Sequence, residues 1–271
     1  MTTKQSLNSP IGVFDSGLGG LTVLKSLENI LPHESFIYFG DTAHVPYGTK
    51  SAETVTKYSR NILDFFLKHK TKAIVIACNT ASAVAFRHLQ RDYDIPLFDV
   101  VLPSVEYSIN ITNTRKIGVI GTYSTIHSKA YTEMFKKLGS NCKIYEIPCP
   151  LFVPIIEEGL SDSTVAKDIA EIYLRDFINS NIDTLILGCT HYPIMANTIQ
   201  TVLSNNIQLV YSGETVGHKL LEFLKKKNCE NSSDLPPSVK FFVSDFPQKF
   251  DELGSGFLDR KLNNVQHISL L

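Results

Sequence analysis

The sequence lacks an excess of charge of either sign, and it lacks long apolar runs. It has 26 Lys and Arg against 27 Asp and Glu, which gives a net charge of −1. This balance gives no reason to expect nucleic acid or a membrane surface as a partner. No apolar stretch is long enough to span a bilayer, and the N-terminal MTTKQSLNSP has no apolar segment of the kind that a secretory signal needs.

Cysteine is also sparse, and low-complexity segments and short-period repeats are missing. Five cysteines in 271 residues are too few, and odd in number, for a disulfide scaffold. We therefore expect reduced thiols and a cytoplasmic protein. Hydrophobic residues make up 43% of the chain, which suffices for a substantial core, and the length suits two domains.

Short apolar runs alternate with helical patterns along the chain, as is typical of βαβ units with a mostly parallel sheet. The predicted strands are residues 11–14, 35–39, 73–77, 97–101, 116–120, 143–147, 184–187 and 239–243. The predicted helices are residues 18–30, 51–69, 81–91, 128–138, 164–180 and 213–227.

The pattern restarts near residue 116, so we predict an α/β fold of two similar lobes. Each lobe has a mostly parallel sheet flanked by helices, and the active site lies in the cleft between them. Residues 1–102 together with 212–271 form the first lobe in this prediction, and residues 103–211 form the second.

Two cysteines occupy matching contexts, one in each half of the chain. Cys78 lies in KAIVIACNTAS and Cys189 in DTLILGCTHYP, each after an apolar strand pattern and before a helical one. Open α/β sheets bind ligands at the carboxyl ends of strands, and a helix N-terminus there favours a thiolate. The duplication indicates two thiols facing one substrate. Two buried structural thiols remain the alternative, and the absence of a CxxC pair disfavours zinc.

The residues that follow the cysteines are polar: Asn79 and Thr80 in the first context, Thr190 and His191 in the second. Hydrogen-bonding side chains at a strand end suit a carboxylate or an ammonium group, and they contribute little to a core unless they are satisfied. An imidazole at position 191 could exchange protons with the neighbouring thiol or with a substrate.

The segment VFDSGLGG follows the first strand and precedes a helix, an arrangement that suits an anion. It departs from the dinucleotide fingerprint because Thr22 stands at the third glycine position, although Asp41 at the end of the next strand keeps a nucleotide site open as a weak alternative. Asp15 is interpreted first as a helix N-cap. An acid/base partner for a nearby thiol is the second interpretation.

Two further segments are open to two interpretations. The stretch YFGDTAHVPYGTKS could hold a carboxylate through turn donors, but its composition alone favours a plain surface loop. The adjacent Glu157 and Glu158 are by default a solvated helix turn.

The motifs DSGLGG, DTAHVPYG, ACNTAS, CPLFVPIIEEG and GCTHYP, in this order, resemble the glutamate racemases of the aspartate/glutamate racemase superfamily. They spread over residues 11–193, and FFVSDFPQKF in the tail is more weakly similar. The resemblance implies cofactor-independent interconversion of L-glutamate and D-glutamate, with no metal, in a homodimer that supplies D-glutamate for bacterial peptidoglycan.

The resemblance also implies roles for individual residues. Cys78 and Cys189 would be the acid/base pair, one on each face of the α-carbon, with Asp15 assisting Cys78 and His191 assisting Cys189. The substrate would be held by Asp15, Ser16, Tyr47, Gly48, Asn79, Thr80, Thr190 and His191, and the supporting residues would be Glu157, Thr122 and Thr125.

This chain departs from the family pattern at one position in the loop, where many members carry Arg and this chain has His44. The departure puts the loop geometry in doubt. The stretch before residue 11 is short, so we do not expect the activation by a cell-wall precursor that accompanies an N-terminal extension in some members.

Racemisation needs a base on one face of the α-carbon and an acid on the other, and two thiols supply both. There is no signature of a pyridoxal-binding lysine, so the site itself must stabilise the carbanionic transition state. A related racemase for aspartate, or an amino-acid-binding module with structural cysteines, remains an alternative.

Overall fold

The computed structural model describes residues 7–203 and 206–270. Within these residues ten strands form two sheets. The first sheet contains β1 Ile11–Asp15, β2 Phe36–Gly40, β3 Ala73–Ile76, β4 Leu97–Asp99, β9 Val239–Val243 and β10 Val265–His267. The second sheet contains β5 Lys116–Gly121, β6 Lys143–Pro148, β7 Thr184–Gly188 and β8 Gln208–Tyr211.

Both sheets are parallel, with strand orders β10-β9-β2-β1-β3-β4 and β6-β5-β7-β8. The central strands β1, β2, β3 and β7 are buried at every residue, as expected for apolar runs covered on both faces. Because all strands of a sheet run the same way, their carboxyl ends meet at one edge, and the prediction of an α/β fold with mostly parallel sheets is confirmed.

Twelve helices within the described residues cover the sheets. They are α1 Gly20–Ile30, α2 Ala52–Lys68, α3 Asn79–Val84, α4 Phe86–Asp92, α5 Val101–Ile111, α6 Tyr123–His127, α7 Ala130–Lys137, α8 Phe152–Glu157, α9 Thr164–Ile178, α10 Ala196–Leu203, α11 Ser212–Lys227 and α12 Pro247–Leu258. Short 3-10 turns lie at Thr42–His44, Tyr47–Thr49 and Tyr192–Met195.

Helix α2 shows how local sequence determines an element. The Ser51 hydroxyl accepts the backbone N–H of Thr54 at 3.2 Å, and Glu53 lies in the first turn, where a negative charge is favourable. The apolar side chains of α2, including Phe66, then pack on the first sheet as part of its buried core.

The predicted strand 97–101 is wrong at its end, because the strand stops at Asp99 and α5 begins at Val101. The Asp99 carboxylate accepts the backbone N–H groups of Val101 at 2.7 Å and Leu102 at 2.8 Å, which starts the helix. The apolar residues that suggested a continuing strand are the first residues of this helix.

The tail returns to the first sheet. Helix α11 packs on α1, β9 pairs with β2, and β10 extends the sheet beyond β9. The first sheet thus draws its strands from residues 11–99 and 239–267, and the second from residues 116–211. The exact lobe bounds stay a prediction. The boundary near residue 102 falls in α5, and the predicted lobes include residues 1–6, 204–205 and 271, which lie outside the described residues.

Within residues 7–203 and 206–270, no helix is both long and apolar enough to cross a membrane.

Candidate active site

A cavity of about 390 Å³ lies at the carboxyl ends of both sheets, a size that suits a small metabolite. It is lined by Ser16, Gly17, Val45, Pro46, Tyr47, Gly48, Thr49, Cys78, Asn79, Thr80, Thr122, Tyr123, Pro150, Val153, Pro154, Glu157, Cys189, Thr190 and His191. The cavity therefore brings together most of the predicted site residues. Asp15 and Thr125 are the exceptions, since both are fully buried and neither lines it.

Cys78 lies two residues beyond β3, at the N-cap position of α3. Its Sγ accepts the N–H of Ala81 at 3.5 Å and lies 3.8 Å from Oγ of Ser16. Burial, together with the nearby charge of Asp15, nevertheless raises the pKa of Cys78 to about 12. The N–H of Ala81 at the helix start does lower the pKa of this thiol, as expected, but burial has the larger effect.

Cys189 directly follows β7, and its thiol faces His191. Sγ lies 3.9 Å from Nδ1 of the imidazole, and Nε2 on the other side lies 3.0 Å from Oε1 of Glu157. Burial opposes protonation of His191, but the hydrogen bonds to Cys189 and Glu157 outweigh it and raise its pKa to about 10. His191 is therefore a positively charged imidazolium at neutral pH, and it lies beside the thiol of Cys189.

Glu157 belongs to this arrangement. Its hydrogen bond to His191 lowers the pKa of the carboxyl group, so it is a carboxylate at neutral pH. Glu157 lies in the last turn of α8 and is exposed, as the interpretation of a solvated helix turn expected, but its carboxylate also contacts the imidazole. A carboxylate in this position fixes the ring orientation and stabilises the imidazolium.

Asp15 ends β1 and is not the N-cap of α1, which is Gly19. Its carboxylate accepts the N–H of Gly17 at 3.0 Å and the hydroxyl of Thr190 at 3.2 Å. Burial raises the pKa of Asp15, while the charge of His191 and these hydrogen bonds oppose the rise. Asp15 thus connects the turn after β1 to Thr190, which follows Cys189. Its side chain does not line the cavity.

The dinucleotide alternative does not fit this geometry. Thr22, at the position of the missing third glycine, donates its hydroxyl to the carbonyl of Thr190 at 2.7 Å, so the position joins α1 to the second sheet. Asp41, which had kept the nucleotide site open, is 3% exposed and accepts hydrogen bonds from within the protein.

Three threonine hydroxyls meet where the two sheets face each other. Oγ1 of Thr80 lies 2.9 Å from that of Thr122 and 3.2 Å from that of Thr125, and the latter two lie 2.9 Å apart. Thr80 comes after β3 of the first sheet, whereas Thr122 and Thr125 come after β5 of the second. The predicted supporting residues Thr122 and Thr125 therefore contact Thr80, a predicted binding residue.

Asn79 is held by residues that the sequence did not indicate. Its Nδ2 donates to the hydroxyl of Tyr131 at 2.9 Å and to that of Ser212 at 3.2 Å. Its Oδ1 is buried and has no hydrogen-bond partner within the described part of the chain. A buried acceptor without a donor is costly, so the site suits a ligand that brings an N–H or O–H group.

The second-sheet side also supplies an apolar wall that was not predicted, from Tyr123, Pro150, Val153 and Pro154. The last three lie in the CPLFVPIIEEG motif, from which only Glu157 had been selected as a site residue. Proline and valine carry no reactive group, so only their position in that motif could have indicated them.

Among residues 7–203 and 206–270, no three His, Cys, Asp or Glu side chains are placed as metal ligands would be.

The chain is similar to known racemases in sequence and in fold. The family model for Asp/Glu/Hydantoin racemase matches residues 11–216. A curated glutamate racemase from Syntrophus aciditrophicus is 42% identical over 261 residues, which cover 96% of this chain and 97% of that protein. The crystal structure of glutamate racemase from Francisella tularensis subsp. tularensis SCHU S4 in complex with D-glutamate is 41% identical, with a TM-score of 0.90 over 97% of this chain and 98% of that one. The glutamate racemase isoform RacE1 of Bacillus anthracis is 33% identical, with a TM-score of 0.92 over the same shares.

Proposed function

Because the chain belongs to the Asp/Glu/Hydantoin racemase family, we propose that it interconverts L-glutamate and D-glutamate, without a cofactor, through the thiols of Cys78 and Cys189. The observation that carries the mechanism is that both thiols line one cavity, each from the carboxyl end of a different sheet. A substrate between them presents opposite faces of its α-carbon to the two sulfur atoms.

One thiolate removes the α-proton, and the opposite thiol delivers a proton to the other face. Cys78, with its pKa raised to about 12, is the proton donor at neutral pH, and Cys189 is then the base. The reverse reaction exchanges these roles, because turnover moves one proton from Cys78 to Cys189. His191 can exchange a proton with Cys189 between turnovers, since its Nδ1 lies 3.9 Å from Sγ.

The cavity offers partners for both ends of an amino acid. Oδ1 of Asn79 can only accept hydrogen bonds, so it suits the substrate ammonium group. The hydroxyls of Ser16, Thr80 and Thr122 can donate to the carboxylates, where they also stabilise negative charge that develops during proton removal. Tyr47 and Gly48 complete the wall of the first sheet.

The biological role that we propose is supply of D-glutamate for peptidoglycan synthesis in the cytoplasm. All five cysteines are free, which fits a reducing compartment. We also propose a homodimer, since Val165 and Ile172 are seven residues apart on α9 and are 53% and 58% exposed. Residues 1–102 with 212–271, and residues 103–211, would be the lobes that close over the substrate and exclude water.

A racemisation assay with purified protein tests this proposal. We expect optical inversion of L-glutamate and of D-glutamate without added cofactor, and much slower reaction with L-aspartate. Cys78→Ala and Cys189→Ala should each abolish racemisation, whereas Cys142→Ala, at a half-buried thiol outside the cavity, should not.

Faster inversion of aspartate would move the protein to a related racemase. Near-normal turnover by either Cys78→Ala or Cys189→Ala would contradict the two-thiol mechanism. Binding of glutamate that resists thiol alkylation, without turnover, would favour a binding module with structural cysteines.

A further inference from the structure

Tyr47 lines the cavity, yet its hydroxyl turns away from it. Oη donates to Oδ2 of Asp41 at 2.5 Å, and the ring is 1% exposed within the core beside the first sheet. Burial and the charge of Asp41 raise the pKa of Tyr47, so the hydroxyl keeps its proton and remains the donor. The side chain of Tyr47 is thus an anchor, and the surrounding turn forms the cavity wall.

Asp41 contacts three side chains, two in its own loop and one in the C-terminal segment. Besides Tyr47, its Oδ1 accepts the hydroxyl of Ser244 at 2.8 Å and lies 2.8 Å from Nδ1 of His44. His44 also stacks on Tyr58, with ring centroids 4.0 Å apart. The geometry of this loop was in doubt because His44 stands where many family members have Arg. Here the Asp41 carboxylate holds the loop.

Ser244 brings the C-terminal segment into this arrangement. It follows β9, and its Oγ accepts the N–H of Ala43 at 2.9 Å while donating to Asp41. The adjacent Asp245 also bonds to the loop, since its N–H donates to Thr42 at 2.8 Å. Ser244 and Asp245 thus hold residues 41–43, at the start of the loop that contains the Tyr47–Thr49 turn.

The far side of the same loop abuts the second sheet. A Cβ at Gly48 would lie 2.8 Å from Cβ of Thr122, so the backbone there already touches the threonine cluster. The turn Tyr47–Thr49 therefore has little room between its anchor at Asp41 and Thr122.

We propose that Asp41 and Ser244 are positioning residues, through which the C-terminal segment sets the place of the Tyr47–Thr49 turn against the substrate. Neither side chain lines the cavity, and both act through the hydroxyl of Tyr47. The expected effect on KM rests on the proposed racemase function. The expected effect on the position of the turn rests on the hydrogen bonds alone.

The kinetic test compares Ser244→Ala with Ser244→Thr, which keeps the hydroxyl, and with Ser255→Ala, whose half-buried serine donates to the carbonyl of Asp251 within α12. We expect Ser244→Ala to raise KM for glutamate about tenfold with a smaller change in kcat, because the turn loses its place while the thiols keep theirs. Ser244→Thr should restore most of the KM, and Ser255→Ala should match the original protein. Asp41→Asn should raise KM further.

A second readout does not need turnover. Cys78 is 5% exposed beside this turn, so its alkylation by iodoacetamide, followed by peptide mass spectrometry, reports whether the turn is held. We expect several-fold faster alkylation of Cys78 in Ser244→Ala, and no change in Ser255→Ala.

The two readouts separate the two hypotheses. Unchanged KM and unchanged alkylation in Ser244→Ala, in a protein that racemises glutamate, would overturn the positioning role alone. Faster alkylation in a protein that racemises no amino acid would support the anchor and overturn the proposed function. Circular dichroism of each variant verifies that the fold is retained.

Discussion

The Glu157 carboxylate holds the ring of His191 from the side opposite to Cys189, with Oε1 3.0 Å from Nε2. This contact joins α8 to the turn that follows β7, and it places a proton source beside the second thiol. An imidazolium there differs chemically from a neutral imidazole, because only the former can return a proton to sulfur.

Replacing Glu157 by Gln should therefore change the pH dependence of the reaction. The pKa of His191, about 10 in the protein, should fall, because the carboxylate that stabilises the imidazolium is lost. The alkaline limb of the kcat/KM profile should move to lower pH by about one unit, which corresponds to about 1.4 kcal/mol. A profile measured from acid to alkaline pH verifies this. Glu158→Gln, at the exposed neighbour, should leave the limb in place, and an unmoved limb in Glu157→Gln would refute the role of this carboxylate.

Gly19 should not tolerate a side chain. A Cβ there would overlap both Oγ1 of Thr190 and Nδ1 of His191, so Gly19→Ala must displace both side chains. Because misplacement of about 1 Å can cost about 100-fold in rate, we expect kcat to fall by at least this factor.

The matched control for Gly19→Ala is Gly256→Ala, since Gly256 lies in α12 with no atom within 4 Å of an added Cβ. Gly256→Ala should keep full activity and stabilise the protein by up to about 1 kcal/mol. Steady-state kinetics and urea unfolding verify both expectations. Full activity in Gly19→Ala would mean that the Thr190–His191 turn is free to move.

Asp183 should make stability depend on acid pH. Partial burial raises its pKa, but the hydroxyl of Thr112 and the N–H groups of Asn113 and Thr114 outweigh this effect and lower the pKa from 3.8 to about 2. A lowered folded-state pKa stabilises the protein above the unfolded-state value, and this contribution is lost as pH falls through about 2.

Because Asp183 is largely open to solvent, we expect Asp183→Asn to lower the free energy of unfolding by only about 1 kcal/mol at neutral pH, and to flatten its decline between about pH 4 and pH 2. Urea unfolding across this range measures both effects, with Asp168→Asn, at an exposed position of α9, as the control. An equal decline in Asp183→Asn and the original protein would contradict this assignment.

The sequence identified the parts of the site that have local signals. Cys78 and Cys189 could be placed at strand ends because buried parallel strands are continuous apolar runs, and their polar followers are visible in the sequence. The end of β4 was misjudged because Val100 and Val101 suit a strand, whereas the Asp99 carboxylate starts a helix there.

The contacts between distant segments could not be predicted. Tyr131 reaches Asn79 across 52 positions, and Ser244 reaches Asp41 across 203. Neither residue has a local pattern that differs from an ordinary helix or strand end, so only the packing of the two sheets reveals them. Asp15 was assigned to a helix N-cap for the same reason, since its partner Thr190 lies in the other half of the chain.

The most direct test of the two-thiol mechanism is proton NMR of each glutamate enantiomer with the protein in D2O, followed at early times. If different thiols remove and return the proton, the product enantiomer acquires solvent deuterium at the α-carbon while the remaining substrate keeps its α-proton. This result should hold from L-glutamate and from D-glutamate alike. Retention of the α-proton in the product, or early deuterium in the recovered substrate, would contradict proton transfer between Cys78 and Cys189 on opposite faces.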